Sequence, residues 1–171
     1  MENLDIDTIL ERVTIKEEII DFIESYNYKM PKKGIIIHGN TAIGKTRLIK
    51  NMLKDKYCVI YLNSFDNRNK AKIESLKGKY MCNRSVISSF HKTNKKIIIV
   101  LDDINSMSIG DKGGINSLVK LLKVKKNINK DGLVNPIICI NNTYNDKKIN
   151  ELKKKLITIN LKPPTNQQIE K

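Results

Sequence analysis

Five short apolar runs constrain this chain more than anything else in it: GIIIH at 34–38, YCVIYL at 57–62, KIIIVL at 96–101, PIICI at 136–140 and LITINL at 156–161. Each is too short for a buried helix and most are rich in β-branched residues, so each reads as a strand buried on both faces. Helix-forming stretches separate them, at about 45–54, 68–91, 115–123 and 146–154. Such alternation gives an α/β fold with a five-stranded parallel sheet between helices. Ahead of the first strand, residues 8–26 place Ile9, Val13, Ile19, Ile20 and Ile23 at mostly helical spacing, as one helix or a helix pair ended by the MPKKG turn. The core must be aliphatic, since aromatics are only 5% and Trp is absent. KKNINKDGLVN at 125–135 reads as a surface loop. Pro163-Pro164 breaks the chain, and Thr165 with Gln168 forms a capping-box pattern that announces a new helix. The expected organisation is a helical segment at 1–29, an α/β core at 30–164, and the beginning of something further at 165–171.

The chemistry concentrates at the ends of three of these strands. After the first comes GNTAIGKT, Gly39 to Thr46, which matches the phosphate-binding loop G-x-x-x-x-G-K-[ST] (Walker A) between a strand and a helix. Gly39 and Gly44 let the backbone curl, so that the amides of Asn40, Thr41, Ala42, Ile43 and their neighbours face phosphate oxygens. The helix that follows adds its positive end, with Arg47 in its first turn. Lys45 is expected to reach the β and γ phosphates of ATP, and Thr46 to bind Mg²⁺. The KIIIVL strand delivers Asp102 and Asp103 to its C-terminal edge, where α/β sheets bind ligands. Asp102 is the expected magnesium ligand with Thr46, and Asp103 the carboxylate that polarises an attacking water. PIICI ends in Asn141-Asn142. A neutral amide there can donate to the γ-phosphate or orient the water, and Asn142 is favoured.

Other residues carry less. His38 reads as a packed strand residue, and His91 in a polar connector has no assigned role. Cys58 and Cys139 lie in apolar runs and read as buried; with Cys82 they form no C-x-x-C pair, so disulfide or zinc chemistry is not expected. Lys112 with Gly113-Gly114 precedes a helix whose start could meet a DNA phosphate or simply face solvent. Lys153, Lys154 and Lys155 read as a solvated helix end. A formal net charge of +14 favours a polyanionic partner, although Lys, Ile and Asn also share A/T-rich codons. The acidic start MENLDIDTIL is unlike a signal peptide, and no apolar run approaches a membrane span. A soluble intracellular protein is expected, in cytoplasm, nucleus or a viral replication site, with no membrane partner.

Taken in order, these segments resemble the AAA+ module of replication factor C, specifically its large subunit. YLNSFDNRNK (61–70) resembles the clamp-loader stretch after strand two, with Asn63, Asp66 and Arg68 in place. SMSIGDKGGINSLVKLLK (106–123) resembles the large-subunit segment with a double Gly before a helix. PIICINN resembles the sensor-1 strand, and residues 148–171 resemble the passage into a lid subdomain. The resemblance covers roughly residues 30–171. It implies an ATPase acting with other AAA+ subunits to open a sliding clamp on primer–template DNA during replication. Lys45 and Thr46 would bind nucleotide, Asp102 the metal, and Asp103 the water, with Asn142 as sensor 1.

Three departures qualify that expectation. Asp103 stands where the family usually has Glu, so hydrolysis is expected to be slow. Lys155 falls near where small subunits carry an arginine finger, which large subunits also lack. The lid with its sensor-2 Arg is expected to be absent, residues 165–171 being its truncated beginning. The alternatives are a helicase-loader-type AAA+ ATPase and an ATP-binding assembly subunit that does not hydrolyse.

Overall fold

A computed structural model describes residues 6–27, 29–76, 95–109, 113–123, 135–142 and 147–170. Their elements run α1 (Ile6–Ile9), α2 (Val13–Ser25), β1 (Gly34–His38), α3 (Lys45–Leu53), β2 (Cys58–Leu62), α4 (Lys70–Leu76), β3 (Ile97–Leu101), α5 (Ile104–Ile109), α6 (Gly114–Leu122), β4 (Ile137–Asn141), α7 (Lys147–Lys155), β5 (Ile157–Asn160) and α8 (Asn166–Ile169). The five strands are parallel, in the order β2-β3-β4-β1-β5. The expected sheet is therefore present.

Strand side chains alternate between two cores, as the pleat requires. Ile36, Ile99, Leu101, Ile137 and Cys139 meet α4, α5, α6 and α7 on one face. Ile35, Ile37, Ile98, Val100, Ile138 and Ile140 meet α2 and α3 on the other. Ile19 and Ile23 of α2 are fully buried there, so α2 shares the core of the α/β unit.

Some expectations shift. The segment at 8–26 resolves into the helix pair, and α2 starts at Val13. The helix expected over 68–91 is seen as α4, and residues 77–94, with Cys82 and His91, lie outside the described residues. So does most of the 125–135 loop. Helix α5 was not expected; it opens directly behind Asp103, and six residues are too few to display a helical period. Cys58 is half-buried rather than buried, because β2 is the outer strand of the described sheet. The capping box is formed, with the Thr165 amide donating to Gln168 Oε1 at 2.9 Å.

Two glycines set local geometry. Gly44 caps α3 at φ 86°, a left-handed conformation that costs an L-residue about 1–2 kcal/mol. Gly114 opens α6 against the backbone of Arg68: a Cβ there would stand 2.2 Å from the Arg68 carbonyl oxygen.

Candidate nucleotide-binding site

Strand β1 lies between β4 and β5, while the connection through α3 leads away to β2 at the far edge. Neighbouring connections thus diverge at the C-terminal end of β1. That is the crevice where open α/β sheets take ligands.

Thr41, Ala42, Gly44, Lys45, Thr46 and Arg47 line an open cleft of about 590 Å³ there, together with Asp102, Asp103 and Asn142. Parts of the chain widely separated in sequence are thereby brought together. Gly39, Asn40 and Ile43 lie outside the lining: Gly39 is buried, and Ile43 packs partly into the α2–α3 core. The loop reaches its shape through left-handed residues, Ala42 at φ 64° and Gly44 at φ 86°. Gly44 then begins α3, whose first-turn amides and dipole favour an anion.

Lys45 is 5% exposed. Its Nζ donates to the Gly39 carbonyl at 2.8 Å and to that of Asn40. Burial pulls its pKa down, and the charges of Asp102 and Asp103 oppose that shift. Among the described residues no carboxylate forms an ion pair with it, so its charge is available to a phosphate.

Asp102 collects donors. Thr46 Oγ1 donates to its two oxygens at 3.1 and 2.9 Å, and the Asp103 amide donates to Oδ1 at 2.9 Å. The Tyr61 hydroxyl donates to Oδ2. A hydroxyl and a carboxylate beside a phosphate-shaped cradle suit magnesium, which takes hard oxygens and few protein ligands. No cluster of three His, Cys, Asp or Glu side chains capable of holding a metal occurs among the described residues.

Asp103 and Asn142 meet across the cleft, Asn142 Nδ2 lying 3.4 Å from Asp103 Oδ1. The Asn142 backbone is fixed by its amide, which donates to Asn105 Oδ1 at 2.8 Å. Asn141 points elsewhere: it is fully buried, and its Nδ2 lies 3.3 Å from His38 Nδ1. Successive strand residues face opposite ways, which is why only one of the two amides lines the cleft.

The stretch after β2 is tied to the same place. Arg68 is fully buried, and its Nη1 donates to the backbone carbonyls of Asp102 and Asp103, its Nη2 to Ser106 Oγ. Asn63 and Asp66 shape the intervening turn, the Asn63 amide donating to Asp66 Oδ2 at 2.8 Å. Asn63 lines the cleft with Ser64. Gly113 and Gly114 are placed at the start of α6, while Lys112 lies outside the described residues. Lys153 is half-buried rather than solvated, near enough to His38 to depress its pKa. Sequence reasoning missed Tyr61, Asn105 and Arg12. For Tyr61 the available signal was a polar tip within an apolar strand.

No family model matches the chain. It is 29% identical over 154 residues to replication factor C subunit 1 of Arabidopsis thaliana, covering 82% of this chain and 15% of that protein. It is 35% identical over 114 residues to the replication factor C large subunit of Methanococcus maripaludis, covering 66% and 22%. A putative replication factor C large subunit of Acanthamoeba polyphaga mimivirus is 28% identical over 151 residues, covering 78% and 27%. The chain thus spans a minor part of the length of these relatives. Among solved structures, the Aeropyrum pernix ORC2 protein in its ADP form matches with a TM-score of 0.50 at 19% identity, over 95% of this chain and 50% of that one. Its ADPNP–ADP complexes match with a TM-score of 0.53 at 19% identity, over 93% and 52%. The fold is the P-loop α/β fold of the AAA+ type. Among the described residues no helix is long and apolar enough to cross a membrane.

Proposed function

We propose, from the premise that this chain is an AAA+ P-loop domain similar to the replication factor C large subunit, that it binds and slowly hydrolyses ATP as part of a clamp-loading assembly. The observation that carries the reading is the convergence of Lys45, Thr46, Asp102, Asp103 and Asn142 on one cleft.

In this reading the loop amides and Lys45 bind the polyphosphate. Thr46 and Asp102 hold Mg²⁺, which when bound neutralises charge on the phosphate oxygens. Tyr61 and the Asp103 amide orient the Asp102 carboxylate. Asp103 accepts a hydrogen bond from the attacking water and so orients and polarises it. Asn142 donates a hydrogen bond to the charge that develops on the γ-phosphate. The similarity to replication factor C large subunits supports partner AAA+ subunits, a sliding clamp and primer–template DNA as the larger setting, and the net charge of +14 suits the last of these. An intracellular replication site, cellular or viral, follows from the same likeness.

One observation favours a second reading. Asp103 has a short side chain already within reach of Asn142, an arrangement open to an ATP-binding subunit without turnover. Lys45→Ala is expected to weaken ADP and ATP binding roughly tenfold to a hundredfold by titration calorimetry. Asp103→Asn is expected to keep binding and to lower turnover on the order of a hundredfold. Wild-type turnover no faster than that of Lys45→Ala, with ATP still bound, would leave only the non-hydrolysing reading. Co-purification with a ring-shaped clamp separates the clamp-loading role from a helicase-loading one.

A further inference from the structure

The phosphate-binding loop is held from behind by a residue that the ATPase reading does not use. Arg12 stands at the junction of α1 and α2 and is 5% exposed. Its Nη2 donates to the Ile43 carbonyl at 2.7 Å. Its Nη1 lies beside Gly44, within 3.3 Å of where a Cβ on that residue would stand. Ile43 is flanked by the two left-handed residues of the loop, Ala42 and Gly44. A loop that turns amides inward to make an anion nest turns carbonyls outward. An outward carbonyl shielded from water needs a donor, and Arg12 supplies one to Ile43.

The backbone that carries the guanidinium is itself anchored. The Arg12 amide donates to the Asp7 carbonyl at 2.8 Å, and Lys16 pairs with the Asp7 carboxylate at 2.5 Å. Burial lowers the Arg12 pKa and the Asp7 charge raises it, but a guanidinium stays protonated in either case. A fixed positive charge therefore stands at the back of the loop, carried by the N-terminal helices.

We infer that Arg12 is a positioning residue that sets the loop in its anion-receiving shape before any ligand arrives, so that the α1–α2 segment governs polyphosphate affinity. The ligand class rests on the nucleotide reading above; the loop-setting role does not. The test compares wild type, Arg12→Ala and Arg12→Lys in two measurements. Amide hydrogen exchange of the nucleotide-free chain is followed for the loop peptide at 39–46 against a peptide from α6. Binding of ADP and of inorganic tripolyphosphate is titrated separately.

Arg12→Ala is expected to speed exchange in the loop about tenfold while leaving α6 unchanged, and to weaken both ligands by about the same factor. Arg12→Lys, which keeps the charge and a donor, is expected to recover part of both effects, and it decides the matter if the alanine variant does not fold. Loop exchange equal to wild type overturns the inference. So does faster exchange throughout, which marks a packing role alone, and so does faster loop exchange with unchanged affinity for both ligands. If wild type binds neither ligand, the nucleotide reading falls, and loop exchange still decides whether Arg12 sets the loop.

Discussion

Asp103 occupies left-handed backbone, φ 48°. Asp and Asn tolerate that region better than other residues with a Cβ, which gives a physical reason for Asp where Glu is usual. Asp103→Glu is accordingly expected to lower stability by about 1 kcal/mol, read as a reduced melting temperature. Tyr61 supports Asp102 directly, so Tyr61→Phe is expected to raise severalfold the magnesium concentration needed for half-maximal ATP binding, with magnesium-free binding unchanged. The loop and the paired aspartates were legible because their chemistry fixes residue type and spacing. Arg12 and Tyr61 were not, because their roles arise from contacts across the fold. A fainter signal did exist. Arginine occurs only at positions 12, 47, 68 and 84 of a lysine-rich chain, and both Arg12 and Arg68 are buried, Arg12 donating from Nη2 and Arg68 from both Nη1 and Nη2. A planar guanidinium is hard to replace at such places.

Elements were readable to the extent that each carries its own period. The strands showed as apolar runs, and their alternation between two cores follows from the pleat alone. Helix α6 was visible from Ile115, Leu118, Val119 and Leu122, all buried against the sheet. Leu118→Ala is expected to cost about 2–5 kcal/mol in chemical denaturation while leaving nucleotide affinity intact, since Leu118 is fully buried and lies outside the cleft. Strand order was not readable, because pairing depends on how each helix crosses the sheet and no local pattern records that. One element end is held by a distant residue: Lys32 Nζ donates to the Lys154 and Leu156 carbonyls at 2.7 and 3.2 Å, closing the C-terminal end of α7.

For the molecule as a whole, His38 links stability to acidity. Burial, then the nearby charges of Lys153 and Lys45, hold its pKa below the ordinary 6.5. The folded chain takes up that proton less readily than the unfolded chain. Stability is therefore full above 6.5 and falls as the pH drops towards the folded value. Melting temperatures at pH 7.5 and 5 are expected to differ less in His38→Gln than in wild type. A longer linkage runs through Gly114. The tight seat of α6 on the Arg68 backbone and the grip of the Arg68 side chain on Asp102 and Asp103 are consecutive joints of one lever. A single methyl group added at 114, on the face of the sheet away from α3, would push that lever and misalign the acidic pair from a distance.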